Sequence, residues 1–551
     1  MAGKVKVSVV PAPTSGLNLK DNLVQLQPTE ATVMKNVYPD DGYCRLIGPY
    51  RPAYYSADDP VSLWGINPRM TIFIPQTDTT FLIVTWRLSI TYSGLYNTAT
   101  GVLTDADPDT VLTSLSNGVI TDNNWVRFGS SDFIALYESG TPASTISYYN
   151  GTKFIASGFT FVDTPVLYYL CSYRSRLYAA GGREIQYGAV DALTGAMAKF
   201  DLDRIFTTKG DITGIGTTTK QTANVDQQLF VIVNAAGEVL IYQGDYPGST
   251  TWGIVDRFFV GLTGYGCVTY IGSDLHILSS QGITPVAALL SNQKVNEEYV
   301  TISDKINNSV KDVWRETLTL STTGTRPYMS ATHLSQRQAV LLSLWGLNDS
   351  TTDWANLRFL IMNNNTKSWG EIDFTETTEA FVSWSYPVRW IECGGKLFCW
   401  GPDQMYEVDI TYSDPAGYSS PPDLIYYPPE IKTAHTYLDD PVNMKSIKQV
   451  RALLSAKQLR PAAVSPTNLD FNWEVGTIRD FFSRESMSSV RFTAGHEEEI
   501  HNGNWAGLAD MGRAISFYYG DILPQAGGEW NQPLLLKLFA LEVQFETGSV
   551  M

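Results

Sequence analysis

Charge is scarce in this 551-residue chain: 17% of residues are Asp, Glu, Lys or Arg, against 44% hydrophobic. That balance excludes a disordered tail, a coiled coil and a collagen-like rod. Cysteines number five, at unrelated spacings. An odd and scattered set fits synthesis in a reducing cytoplasm better than a disulfide framework. Basic residues are outnumbered, 39 Lys and Arg against 56 Asp and Glu, giving a net charge of −17. The sign is wrong for a protein that grips nucleic acid by neutralising phosphates. Long apolar runs are also missing. Residues 533–541 are interrupted by Lys537 and fall well short of the roughly 20 residues of a spanning helix. Residues 1–10 hold no apolar stretch of the kind a secretory signal needs, so no such signal is expected.

What the chain does have is aromatic and β-branched sequence: 30 Tyr, 23 Phe and 14 Trp, with Thr, Ser, Gly and Asn throughout. That composition suits β-structure. One pattern returns without exact repetition: a short apolar run, a turn with Gly or Asn, and a second run. It is plain at residues 81–86, 133–137 with 147–155, 176–187, 229–242, 274–282, 358–369 and 396–406. In the second of these, Asn150 and Gly151 can both take φ > 0, predicting a two-residue type I′ turn. Hairpins every 40 to 50 residues or so are what a β-propeller produces. The fold expected is therefore mainly β. It comprises an N-terminal extended segment over 1–50, a β-propeller-like domain with insertions over 51–415, and a C-terminal β-sandwich-like domain over 416–551. About five to seven blades fit the propeller stretch; a stack of unrelated sandwiches is the other reading of the same turns. Within the propeller stretch, Ile302, Ile306, Val310, Val313 and Trp314 share one helical face, with Ser303 placed as N-cap. A helical insertion near 301–316 is predicted to pack on the propeller's flank. The boundary near 415 rests on a cluster of Pro, Gly and Ser at 413–422. Beyond it, residues 469–475 and 541–546 alternate apolar and polar, as in a sheet with one wet face.

Chemistry is hard to find. Of five histidines, His496 and His501 are the closest pair, but a zinc helix spaces its ligands four apart, on one face. Five residues place them about 140° apart around a helix, and glycines bracket the segment as a turn. Cys393 and Cys399 flank Gly394 and Gly395, where a hairpin would bring them together as a disulfide or half a metal site, but two buried small residues fit better. Gly-x-Ser-x-Gly and Walker motifs are absent, and Gly214 and Gly216 lack the third glycine of a dinucleotide loop. Asp40 and Asp41, between Pro39 and Gly42, read as turn chemistry. No catalytic, cofactor or metal site is expected. One basic cluster remains: Lys445, Lys448 and Arg451, with Lys457 and Arg460 further on. The first three are candidate contacts for phosphate or a partner; a solvated face is the plainer reading.

A series of stretches, in order, resembles the tail nozzle (tail tubular protein B) virion proteins of short-tailed bacteriophages. It opens with Gly16-Leu-Asn-Leu-Lys-Asp-Asn-Leu, Pro28-Thr-Glu-Ala-Thr-Val-Met-Lys-Asn-Val-Tyr-Pro and Gly42-Tyr-Cys-Arg-Leu. It continues through Leu193-Thr-Gly-Ala-Met-Ala-Lys-Phe-Asp-Leu, Gly237-Glu-Val-Leu-Ile-Tyr-Gln-Gly-Asp-Tyr-Pro and Ser273-Asp-Leu-His-Ile-Leu-Ser-Ser-Gln-Gly. Met362-Asn-Asn-Asn-Thr-Lys-Ser-Trp and Gly395-Lys-Leu-Phe-Cys-Trp-Gly-Pro-Asp-Gln-Met-Tyr complete it. The resemblance covers about residues 15 to 410. It implies a non-enzymatic structural protein without cofactors, made in the host cytoplasm and located in the virion tail. It further implies a homohexameric ring meeting the head-to-tail adaptor and the tail fibres or tail needle. Such a ring retains the genome and then passes double-stranded DNA without binding it tightly. An acidic wall suits that task, since it repels phosphates. The alternative is a carbohydrate-binding or receptor-binding propeller whose aromatics stack sugars.

Overall fold

The computed structural model describes residues 5–21, 25–47, 50–53, 70–87, 90–100, 102–105, 125–128, 133–138, 145–163, 167–222, 225–291, 294–295, 298–320, 328–334, 338–347, 354–373, 390–400, 405–408, 429–438, 440–458, 469–478, 486–494, 501–502, 505–520 and 534–547. The logic of the architecture is clearest at residues 229–233, where Leu, Phe, Val, Ile and Val follow one another without a polar residue. Side chains of a strand alternate between its two faces, so such a run needs both faces covered. Phe230 and Ile232, with Leu240 and Tyr242 on the next strand, pack against Tyr173, Tyr178 and Ile185. Leu229, Val231, Val233, Val239 and Ile241 pack the other way, against Val268, Leu275 and Ile277. One sheet is thus sandwiched between two others, and the relation repeats around a ring.

Among the described residues, seven antiparallel sheets stand in sequence as the blades of a propeller. Their first strands are Met70–Thr77, Trp125–Phe128, Tyr169–Tyr173, Ile212–Thr222, Thr263–Ile271, Tyr328–Leu334 and Trp390–Cys393. These first strands neighbour one another around the ring, and the last returns to the first. Closure comes from the start of the chain: Tyr50–Pro52 pairs antiparallel with Met405–Val408 as the fourth strand of blade 7. The expected boundary at residue 50 therefore falls inside a strand of the propeller. A separate apolar cluster joins blade 7 to blade 1, where Phe398 lies 5.2 Å from Phe81 by ring centroids. The architecture is mainly β, with a β-propeller-like part and a β-sandwich-like part, as the composition and hairpin pattern indicate.

The sandwich is built from both ends of the chain. In one sheet, Leu534–Thr547 pairs with Lys445–Gln458, and also with Val5–Pro11 and Cys44–Leu46. The facing layer runs Ala31–Lys35, Glu430–Thr433, Ala514–Gly520, Leu469–Ile478 and Ser486–Ala494, and Lys35 bridges it to Glu371 of blade 6. Leu541, Val543 and Phe545 point into the shared core while Glu542, Gln544 and Glu546 stay partly exposed, as the alternation predicts. Val5–Pro11, Ala31–Lys35 and Cys44–Leu46 are thus strands of the sandwich, more than an extended lead-in.

The predicted helix spans Asn307–Leu320, preceded by a 3₁₀ turn at Asp304–Ile306. Ile306, Val310, Val313 and Trp314 are buried against blades 5 and 6 and the sandwich. Ser303 does not cap it: its hydroxyl accepts the Ile283 N–H at 2.9 Å and donates to Asn307 Oδ1 at 2.7 Å, tying the helix to blade 5. The Asn150 turn also differs from expectation. Tyr149 pairs with Phe154, which leaves four residues in the connection, and only Gly151 has a positive φ. Asn150 Oδ1 instead accepts the N–H groups of Thr152 and Lys153, both at 2.9 Å. The two-residue geometry appears at Gly394 and Gly395, with φ of 61° and 75°. That hairpin pairs Cys393 with Lys396 and Cys399 with Trp390. The two thiols lie in different apolar clusters, and all five cysteines are buried thiols outside any disulfide.

Candidate functional site

Where the seven first strands meet, they enclose a cavity of about 510 Å³. Every blade contributes to its wall. Phe73 and Pro75 come from blade 1, Trp125 and Arg127 from blade 2, Cys171 and Ser172 from blade 3. Thr217 comes from blade 4, Tyr270 from blade 5, Thr332 and His333 from blade 6, and Trp390 from blade 7. This is the propeller axis, and its volume falls in the ordinary range for small-molecule sites, about 300–1,000 Å³.

Two residues apart on one strand, Trp125 and Arg127 share a face. The guanidinium of Arg127 donates to the Pro75 carbonyl, bridging blades 2 and 1 inside the ring. Tyr270 reaches in the opposite sense: its hydroxyl accepts the Thr217 N–H at 2.9 Å and donates to the Thr217 carbonyl at 3.0 Å. Tyr270 as a whole is 45% exposed and lines the cavity, while burial around its hydroxyl pushes the phenol up to about 12. Thr332 donates to the Trp390 carbonyl at 2.8 Å, so its hydroxyl oxygen keeps lone pairs to offer. His333 Nε2 is buried with no hydrogen-bond partner among the described residues. Burial also pushes the Cys171 thiol up to about 12, keeping it protonated at neutral pH. Among the described lining residues there is no carboxylate, and Arg127 is the one permanent cation. The wall therefore offers aromatic faces, hydroxyls and a single positive charge.

The residues singled out in the sequence lie elsewhere, and the structure takes the basic cluster apart. Lys445 is fully buried; its ammonium donates to the carbonyls of Asn443 at 3.0 Å and Arg513 at 2.9 Å, and to that of Asp440. Desolvation holds it below the usual lysine value. As a phosphate contact it is out of reach, and that reading of Lys445 is corrected. Lys448 and Arg451 sit on the same strand but are already matched, to Glu546 at 3.4 Å and to Glu542. The Arg451 guanidinium also lies 4.6 Å over the Trp505 ring. Lys457 lies on that strand, and Arg460 lies outside the described residues. Cross-strand pairing explains this cluster: a basic strand faces an acidic one. Asp40 binds Arg45 at 3.2 Å, while Asp41 N–H caps the Asp40 carboxylate at 2.9 Å, an ordinary hairpin turn. His501 is on a short strand, and His496 lies outside the described residues. His276 is buried, and desolvation holds it below the ordinary histidine value. Among the described residues, no three His, Cys, Asp or Glu side chains converge as a metal site, and no helix is long and apolar enough to cross a membrane.

No family model matches the chain, and no curated protein does. Solved structures that share its character include Raptor from Chaetomium thermophilum, at 8% identity and TM-score 0.37, over 66% of this chain and 30% of that one. YCF48 from Cyanidioschyzon merolae aligns at 10% identity and TM-score 0.34, over 65% and 98% of the two chains. A lectin from Aleuria aurantia, in complex with α-methyl-L-fucoside, aligns at 9% identity and TM-score 0.26, over 64% and 99%. At these scores the likeness says nothing of function, and the propeller stands on the chain's own strand pairing.

Proposed function

We propose that this chain is a structural virion protein of the tail-nozzle kind, assembling as a ring of copies around a conduit for double-stranded DNA. The observation that carries the reading is the free edge of the Val5–Pro11 strand. One side of that strand pairs with Leu534–Thr547; among the described residues no strand pairs the other. Val5, Val7 and Val9 alternate along it at 49%, 56% and 56% exposure. An apolar edge strand left bare invites pairing with another chain. Contacts of this type between unlike surfaces generate a ring when the rotation between copies closes.

The axial cavity agrees with a conduit formed between copies and not along the propeller axis. A volume of 510 Å³ equals a sphere about 10 Å across, whereas the major groove of B-DNA alone is about 12 Å wide. The duplex cannot pass through one propeller. The test is light scattering on the purified full chain beside Val7→Glu. The ring reading expects a large assembly for the parent and a smaller species of unchanged fold for the variant. Identical monomers in both cases would contradict it.

A further inference from the structure

The axial cavity has no part in forming a ring between copies, so the inference here is independent of the ring. We propose that it binds a carboxylated monosaccharide, a pyranose ring bearing one carboxylate such as a uronic acid. Three observations lead there.

First, the charge. The chain carries a net −17, yet the described lining of its innermost cavity has one guanidinium and no carboxylate. Among the described residues no acid pairs with Arg127, whose recorded bond is to the Pro75 carbonyl. A guanidinium has five N–H donors in a planar fork, so several remain for a ligand carboxylate, which a fork of this shape binds bidentately. A phosphate carries about −1.5 to −2 charges at pH 7. One guanidinium would leave part of that charge uncompensated in a partly enclosed site, which is costly. A carboxylate, at −1, matches it.

Second, the platform. The Tyr270 hydroxyl is held by both backbone groups of Thr217, so the phenol cannot swing away and the ring is what it presents. Trp125, on the same face as Arg127, supplies a second aromatic surface. Rigid aromatic faces beside a fixed cation suit a ring with apolar C–H faces and a charged substituent. Third, the rim. The Thr332 hydroxyl, its proton committed to the Trp390 carbonyl, retains lone pairs that accept from a sugar hydroxyl.

The test titrates the full chain with D-glucuronate by ligand-detected NMR and calorimetry, beside D-glucose, inorganic phosphate and benzoate. Binding of glucuronate with Kd of about 1 mM, at least tenfold tighter than glucose, phosphate or benzoate, is the expected result. Arg127→Ala should weaken it at least tenfold, and Arg127→Lys, which keeps the charge but not the fork, by a smaller factor. Thermal melting of both variants checks that the ring of blades is intact; Arg127→Lys carries the test if Arg127→Ala does not fold. Phosphate binding as tightly as glucuronate, benzoate binding more tightly, or glucuronate affinity unchanged in the variants would each overturn the proposal. So would absence of glucuronate binding at concentrations tenfold above the expected Kd.

Discussion

Glu238 is the side chain whose removal should test the propeller's packing most sharply. It is fully buried, and its carboxylate accepts the N–H groups of Thr207 at 3.0 Å and Thr208 at 2.8 Å, and the Thr208 hydroxyl at 2.7 Å. Arg257 completes the shell at 3.2 Å. The carboxylate thereby holds the connection between blades 3 and 4, next to the strand that brings Thr217 to the axis. Glu238→Gln keeps the shape and one acceptor oxygen but replaces the other with a donor facing Arg257. Hydrogen bonds to a charged group are worth about 1.5–3 kcal/mol. Arg257 keeps one acceptor, the Ile205 carbonyl at 2.9 Å, so the expected loss is about 2–4 kcal/mol at pH 7.

The sign of the pH dependence follows from the same shell. Burial alone would raise the carboxyl, but the hydrogen bonds from Thr208 and Thr207 outweigh it and hold the group below the usual glutamate value. A depressed carboxylate stabilises fully above its unfolded value, about 4.3, and loses that contribution as pH falls through the folded one. Glutamine does not titrate. The gap between parent and variant should therefore be widest at neutral pH and shrink as pH drops below about 4. Urea unfolding followed by near-ultraviolet dichroism measures the gap, and hydrogen exchange at the Thr208 amide reports the site itself. A variant within about 0.5 kcal/mol of the parent at pH 7, or a gap that ignores acid, would refute the reasoning.

Other outcomes follow from particular residues. Gly237→Ala should cost at least about 2 kcal/mol in the same unfolding assay, because φ is +81° and an added Cβ would sit 1.7 Å from the Gly261 carbonyl oxygen. Duplex DNA should bind weakly, with a salt slope near zero in a fluorescence titration, since Lys448 and Arg451 are already paired with Glu546 and Glu542. A steep slope removed by Lys448→Ala would sink that reading. Tyr406→Asp, placed against the Pro52 strand that closes blade 7, should lower the melting temperature. A mutation at exposed Val102 should leave that temperature unchanged.

Much of the fold is legible in short-range pattern, because blade strands buried on both faces read as unbroken apolar runs, as at 229–233. The ring's closure is not. Tyr50–Pro52 is three residues long, and its pairing with Met405–Val408 joins parts of the chain some 350 residues apart. No local period records such a contact. The sandwich hides for the same reason, since Val5–Pro11 meets Leu534–Thr547 across nearly the whole chain. The axial site was illegible at Trp125 and Arg127 because the first recognisable hairpin of blade 2 begins at Phe133. Its inner strand, four residues long, precedes that hairpin. One signal was there: a four-stranded blade needs a strand before its first clear hairpin, and Trp125, Val126, Arg127 and Phe128 are the strand-forming residues available. The basic cluster misled for a plain reason. Charges three apart on a strand look like a patch until the facing strand, with Glu542 and Glu546, is known.

The proposed ring is tested most directly by the mass and image of the native particle. Native mass spectrometry of the purified chain, alone and with the head-to-tail adaptor that the proposed nozzle reading expects, should give a species near six times 61.0 kDa, and electron microscopy should show a closed ring with a central opening wider than the duplex. A chain that remains at 61.0 kDa at every concentration, with and without the adaptor, would contradict the account.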